Sequence, residues 1–274
     1  MPRWLLIANE NSYWVLCLTL LLTLAAGLFV PRRDLGTERW KAWVAALCIA
    51  VIGFVVLEIV SPWLLKVNGV ITNALRVPAL ARMGLPTPVL IILSLLLLDL
   101  LSYAIHLLSH QAPWLWRLHQ VHHSDTGFDA TTALLHHPLE ALVTTAIQFF
   151  VLSVLGLPLI EVVLYGVLLN LHNPFVHSNI RLSNPVDRVL RLFIVTPDMH
   201  RLHHSARMDE GNSNFGMLFP WWDWLLGSYR ADMADGQQTG QLGLPGPAGV
   251  KQPTLVQLLL MPVRAGPAVA RGEP

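Results

Sequence analysis

Residues 139–171 read LEALVTTAIQFFVLSVLGLPLIEVVLYGVLLNL, an apolar run interrupted only by Gly156-Leu157-Pro158. One crossing of a bilayer takes ~20 apolar residues, and this run is longer than that. Proline cannot continue a helix without losing a backbone hydrogen bond, and glycine weakens one. The run therefore predicts two helices joined by a tight turn, a hairpin that enters and leaves an apolar layer on the same side. Upstream lie three more blocks, from about Tyr13 to Val30, Ala42 to Leu65 and Pro88 to Ile105. Each is long enough to span a membrane as a helix, which satisfies its own backbone groups in lipid.

Composition agrees. The 274 residues are 54% hydrophobic and only 13% charged, where a soluble domain carries about a quarter charged residues. The net charge of +1 gives no reason to expect a nucleic-acid partner. Cys17 and Cys48 both fall in apolar blocks and read as small hydrophobes; no Cys-x-x-Cys pair exists. The first block ends in Phe29-Val30-Pro31 rather than a small-x-small site, so it reads as a retained helix.

The fold class expected is an all-α polytopic membrane bundle of about three spanning helices plus the hairpin, with a helical cap on the cytosolic side. Residues 1–87 read as N-terminal helices and loop, 88–235 as the catalytic region, and 236–274 as a Gly/Pro-rich tail with a short surface helix from Leu255 to Val263. Arg32, Arg33, Arg39 and Lys41 follow block one, and Arg181, Arg188, Arg191, Arg201 and Arg207 follow the hairpin. Basic loops face the cytoplasm, and the hairpin supplies the even number of crossings that puts both there. Lys66, Arg76 and Arg82 sit in the loop expected outside.

All twelve histidines lie between His106 and His204. His106-Leu-Leu-Ser-His110 places two rings at i and i+4, on one helical face. His119-Gln-Val-His122-His123 and His200-Arg-Leu-His203-His204 repeat a second spacing, His-x-x-His-His. In a helix its rings share one face but diverge slightly, so each triad can serve two neighbouring metals. Eight imidazoles exceed one ion's coordination shell, which implies a pair. Imidazole suits zinc, copper, iron and nickel. A redox pair with positions open for O2 fits the count better than zinc, which rarely needs so many ligands. The soluble di-iron bundles use a Glu-x-x-His pattern that is absent here.

Asp99 is an acid inside an apolar block, a position that points to function. It lies two helical turns before His106 and is expected to accept a ligand's second ring N–H, which fixes tautomer and basicity. Asp198, two residues before His200, is expected to do the same. Glu161 reads as an interfacial charge. Trp114, Trp116, Trp221, Trp222 and Trp224 flank the histidines as candidate roofing residues.

The pattern resembles the membrane fatty acid hydroxylase / sterol desaturase superfamily, with its boxes His-x3-His, His-x2-His-His and His-x2-His-His. The likeness extends through Asp99-Leu-Leu-Ser-Tyr-Ala-Ile-His106, Pro113-Trp-Leu-Trp116-Arg-Leu-His119, His137-Pro138-Leu-Glu140, His177-Ser-Asn179, Thr196-Pro197-Asp198-Met-His200, Asn214-Phe-Gly216 and Trp222-Asp-Trp-Leu-Leu-Gly227. It covers roughly residues 88–230. Leu107 and Leu135 depart from the arginines common at those places, which bears on substrate or partner contacts.

The resemblance implies a membrane-bound non-haem di-iron oxygenase. It would use O2 to hydroxylate or desaturate a C–H bond of a lipid or sterol-like substrate. His106, His110, His119, His122, His123, His200, His203 and His204 would be the metal ligands, with His172 and His177 added to them. His137 and Asn214 would support the ligands from behind, Asp99 and Asp198 would act beside them, and His136 reads as an interface residue. The sequence has no haem signature, nucleotide-binding glycine loop or cysteine cluster, so a separate reductase, ferredoxin or cytochrome is implied as electron donor. Two rival readings remain: a membrane zinc hydrolase, and a haem or metal transporter with histidine relays. Sterol, fatty acyl, carotenoid, alkylglycerol ether and sphingoid substrates all stay open.

Overall fold

A computed structural model describes residues 3–75, 83–157, 159–245 and 252–264. Among them there is no β-strand; the extended pairings are single bridges, Pro31 with Ile180 and Ser205 with Leu242. The long helices are α1 (Arg3–Phe29), α2 (Arg39–Leu75) and α3 (Thr87–Gln111), followed by the short α4 (Pro113–His119). The hairpin is α5 (Pro138–Leu155) and α6 (Leu159–Val176). A cap of short helices follows: α7 (Asn184–Leu190), α8 (Pro197–His203), α9 (Met208–Gly211), α10 (Trp221–Leu226), α11 (Gly236–Thr239) and α12 (Leu255–Leu260).

Three described helical spans are long and apolar enough to cross a membrane: Arg39–Thr72, Thr87–Gln111 and Pro138–Leu155. Tyr13–Phe29 and Ile160–Val176 are shorter apolar helices. Their outer faces carry large exposed hydrophobics, among them Leu21, Leu28, Phe29, Val51, Phe54, Ile92 and Phe150, while every histidine but His136 is buried. Water does not tolerate an apolar surface of that extent, so these faces belong against lipid.

The hairpin turn is made as its sequence requires. Gly156 ends α5 at φ 60°, a left-handed conformation that glycine adopts without steric cost. Pro158 lies outside the described residues. The two arms pack on different partners, α5 against α2 and α6 against α1 and α3.

The structure corrects one expectation. Helix α2 does not stop near Leu65 but continues to Leu75 through Pro62. Asn68 holds the extension in place by donating to the Phe149 carbonyl at 2.7 Å. At 1.5 Å per residue α2 is about 55 Å long, more than a ~30 Å hydrocarbon layer. Arg76 and Arg82 lie outside the described residues. The tail helix α12 lies at the surface as expected and packs one face through Leu258, which is buried with Ala45, Ala46, Ile49, Val121 and Leu135. The Thr254–Gln257 capping box starts that helix.

Candidate metal centre

The first box ends α3, and one residue redirects the chain toward the second. Ala112 is extended (φ −85°, ψ 118°), serving as the end of α3 and the start of α4. Pro113 cannot donate into α3 but is well suited to a first helical position. His106 and His110 therefore meet His119 at the far end of α4. The second box is not one continuous helix: α4 closes at His119, and His122–Ser124 form a 3₁₀ turn. The third box lies on α8, again entered through a proline, with His204 as its C-cap.

These elements sort the boxes into two buried sets. His106, His110, His119, His123 and His203 form one; His122, His177, His200 and His204 form the other. Within each set one ligand-capable atom per residue lies within 4.8 Å of all the others. Every i,i+4 pair stays within a set, while the i+3 histidine of boxes two and three crosses to the other one. Phe215 packs on His106, His110 and His203 of the first set, and Phe128 on His177, His200 and His204 of the second. Phe128 is fully buried at φ 58°, a left-handed value uncommon for a bulky residue and characteristic of functional sites.

Both sets fit a metal ion. In the first, Nε2 of His110, His119, His123 and His203 is buried with no hydrogen-bond partner. Leaving such groups unpaired in a protein interior is costly. In the second, Nε2 of His177 faces Nε2 of His122 at 3.1 Å and of His200 at 2.9 Å, and His200 faces His204 at 3.3 Å. Two nitrogens sharing one ion at ~2.0–2.1 Å sit about 2.9–3.4 Å apart. A cation pairs lone pairs that otherwise repel.

The reverse sides of the rings are held by acceptors. Nδ1 of His106 donates to the Phe215 carbonyl (2.8 Å), that of His203 to the Ser213 carbonyl (2.7 Å) and that of His177 to the Asn173 carbonyl (2.8 Å). A carbonyl only accepts, so each ring carries its hydrogen on Nδ1 and turns an Nε2 lone pair inward. The 213–216 segment that supplies two of these carbonyls is itself braced. Asp223 accepts from the Phe215 and Gly216 N–H groups, and the Asn214 amide bonds to the Met199 and Arg230 carbonyls. Asn214, at φ 53°, acts on the ligands through its neighbours' backbone.

Asp99 reaches no histidine. It accepts from Tyr165 Oη, Trp222 Nε1 and the backbone N–H of Leu218 and Phe219. The helical repeat put it on the His106 face, but these four donors fill its oxygens, and it anchors the loop instead. Asp198 is likewise taken by Arg32 and Arg201, not by a ring. His172 joins neither set: its Nε2 has no hydrogen-bond partner and its ring packs on Phe175. His137 caps α5 by accepting from Leu139 N–H, and its other nitrogen faces the Leu259 carbonyl. Of the candidate roofing tryptophans, Trp116 packs on His110 and His123, whereas Trp221 bonds to the Leu192 carbonyl.

Two residues carry more than the sequence reading gave them. Glu140 Oε1 accepts from His119 Nδ1 at 2.6 Å, the role expected of Asp99. Its other oxygen lies 3.3 Å from His136, whose ring stacks on His122 at 4.4 Å. His119, His136 and Glu140 thus make a third ligand-capable group. The rule that singled out Asp99, an acid in an apolar run, applies equally to Glu140. Glu140→Gln keeps the shape but removes the charge behind His119. It is expected to weaken metal retention against a chelator by about 10–100-fold; retention equal to the parent chain would contradict this role.

Burial pulls His177 and His203 down to about 3. It also holds His122, His123, His200 and His204 well below the ordinary imidazole value, with neighbouring rings adding to the effect. These rings are therefore neutral in the fold, and unfolded ones take up a proton below ~6.5. Between ~6.5 and about 3 the unfolded chain binds more protons, so stability is full above that window and declines as pH falls through it. Unfolding midpoints at pH 7.5 and pH 5 should show the loss; equal midpoints would contradict neutral buried rings.

A cavity of about 280 Å³ opens onto both sets. Helix α3 lines it with Ser102 and Ile105, α5 with Thr144, Thr145 and Gln148, and α6 with Leu169 and Asn173.

The chain is 31% identical over 141 residues to the ornithine lipid hydroxylase OlsE of Rhizobium tropici, covering 51% of this chain and 41% of that protein. It is 26% identical to the human alkylglycerol monooxygenase over 57% of this chain and 33% of the other. To the rat cholesterol 25-hydroxylase it is 28% identical, over 51% and 46%. The matched region spans less than half the length of each of these relatives. No solved structure matches. The fatty acid hydroxylase profile matches residues 91–228, half of the chain and the region that holds every histidine of both sets, and the chain belongs to the fatty acid hydroxylase family.

Proposed function

We propose that this chain is a multi-pass membrane oxygenase that uses two iron ions to hydroxylate a C–H bond of a lipid. The observation that carries the proposal is the pair of adjoining imidazole sets with inward lone pairs beside a cavity walled by apolar helices. His106, His110, His119, His123 and His203 would hold one ion, and His122, His177, His200 and His204 the other. When bound, the pair would bind O2 and supply the reducing power that activates it toward an unactivated C–H bond.

The chain's own residues do the rest. The Phe215, Ser213 and Asn173 carbonyls and Glu140 keep ring hydrogens on Nδ1. Phe128 and Phe215 exclude water from the back of each set. Thr144, Thr145 and Gln148 give the α5 wall hydrogen-bonding groups that can orient a substrate bearing a polar linkage. One oxygen atom enters the substrate and the other leaves as water, so electrons and protons must come from a separate donor. The relatives' names, hydroxylases and monooxygenases, favour hydroxylation over desaturation.

The α1–α2 connection and the segment after the hairpin are in contact, through Arg32 with Asp198 and Arg33 with Asn179. Both basic stretches therefore share one end of the bundle, which supports a cytoplasmic centre. Metal analysis with O2 uptake and lipid profiling tests the proposal. About two iron ions per chain and a hydroxylated lipid dependent on O2 are expected. Zinc at full occupancy with O2-independent turnover would establish the hydrolase reading instead.

A further inference from the structure

A second and larger cavity, about 470 Å³, lies where α1 meets the cap and shares no lining residue with the histidine cavity. One wall is the end of α1, with Thr23, Leu24 and Leu28; the other is the connection carrying Arg32 and Arg33. The α1 wall borders the exposed apolar face of Leu21, Leu28 and Phe29, so the cavity sits where apolar helix surface gives way to polar chain.

Its cations are incompletely used. Arg33 Nη1 donates to the Gln237 and Gly240 carbonyls, and no carboxylate pairs with its guanidinium among the described residues. Arg32 gives Nη2 to Asp198, while its buried Nε has no partner. Two carboxylates also line the space. Asp129 pairs with Arg39, a cation it shares with Asp125, and accepts from the Trp43 indole N–H; Asp34, exposed, accepts from the Gly36 N–H. A half-buried arginine without a counter-charge, beside an apolar wall, matches a phosphate attached to acyl chains. A guanidinium binds phosphate through several directed N–H groups, which suits this role better than an ammonium would.

We propose that this cavity is a headgroup site for an anionic phospholipid, with Arg33 as the phosphate ligand and the end of α1 as the wall for the acyl chains. Bound lipid would also brace the centre. The Arg33 backbone exchanges hydrogen bonds with the Asn179 side chain, two residues after His177, and Arg32 holds Asp198, two residues before His200. The inference is independent of the chemistry at the histidines.

Native mass spectrometry of the full chain in neutral detergent tests it, with phosphatidylglycerol, phosphatidylcholine of the same acyl chains, and inorganic phosphate as probes. The parent chain should retain phosphatidylglycerol about tenfold better than phosphatidylcholine. Arg33→Gln, which removes the cation, should lose that preference. Arg33→Lys should keep part of it, and Asp34→Asn should keep or raise it. Leu24→Trp, which fills the apolar end without touching Arg33, should weaken retention as well and serves if Arg33→Gln does not fold. No preference in the parent chain, an unchanged preference in Arg33→Gln, or a loss in Asp34→Asn equal to that in Arg33→Gln would each overturn the proposal. Displacement of the lipid by an equal concentration of inorganic phosphate would show a free-anion site and overturn the lipid assignment.

Discussion

His203→Ala is expected to leave a chain that retains about one metal ion fewer and, under the proposed function, oxidises lipid at least ~100-fold more slowly than its parent. His203 is fully buried at the crossing point of the first set, its ring 4.6–4.7 Å from those of His106, His110 and His123. Its Nδ1 is committed to the Ser213 carbonyl, so Nε2 has a lone pair and no protein group to receive it. Outer-sphere changes alone cost 10–100-fold in metal affinity or activity, and removal of a ligand costs at least as much. His137→Ala is the control. His137 caps α5 and touches neither set, so about 1 kcal/mol of stability should go while metal content stays. Metal analysis of both variants, with the mass of the lipid product, decides the matter. Full metal content and full turnover in His203→Ala would contradict the ligand assignment.

The second large effect is on stability. Arg39→Ala is expected to cost about 3–5 kcal/mol. The Arg39 guanidinium bridges Asp125 and Asp129, and the three side chains are 5%, 3% and 3% exposed. Removing the cation leaves two buried carboxylates without a counter-charge, and that penalty exceeds the net worth of the ion pair. Asp125 directly follows the His122–Ser124 turn and also accepts from Thr132 and Gln252. The same substitution should therefore loosen the second box and lower metal retention. Gly127 fits this clamp: a Cβ there would lie 2.5 Å from Arg39 Nη1. Denaturant unfolding in detergent would measure the loss; a change below 1 kcal/mol would mean that water or a second cation compensates the pair.

How far the centre was legible depended on whether a partner lay nearby in sequence. The hairpin could be read because Gly156 and the interruption beside it act on their own helix. The helical repeat gave only that each His-x-x-His-His triad could serve two neighbouring metals; which histidine joins which set depended on the break of the second box into a helix end and a 3₁₀ turn. Asp99 was placed by helical phase and Asp198 by its nearness to His200, but Tyr165, Trp222 and Arg32, distant in sequence, supplied the donors that occupy them. Glu140 was passed over although it lies only 21 residues from His119, since nothing local shows that α5 begins beside α4.

The sequence by itself determined the lipid-facing helices, the hairpin and a histidine inventory larger than one ion can use, because periodicity, chain length and residue chemistry are local quantities. Tertiary structure alone decided which acceptor stands behind each ring, that His172 joins neither set, and that an arginine pocket forms where α1 meets the cap. Those outcomes depend on which distant donors and acceptors reach each buried polar atom first, and a buried group takes whatever partner the packed chain provides.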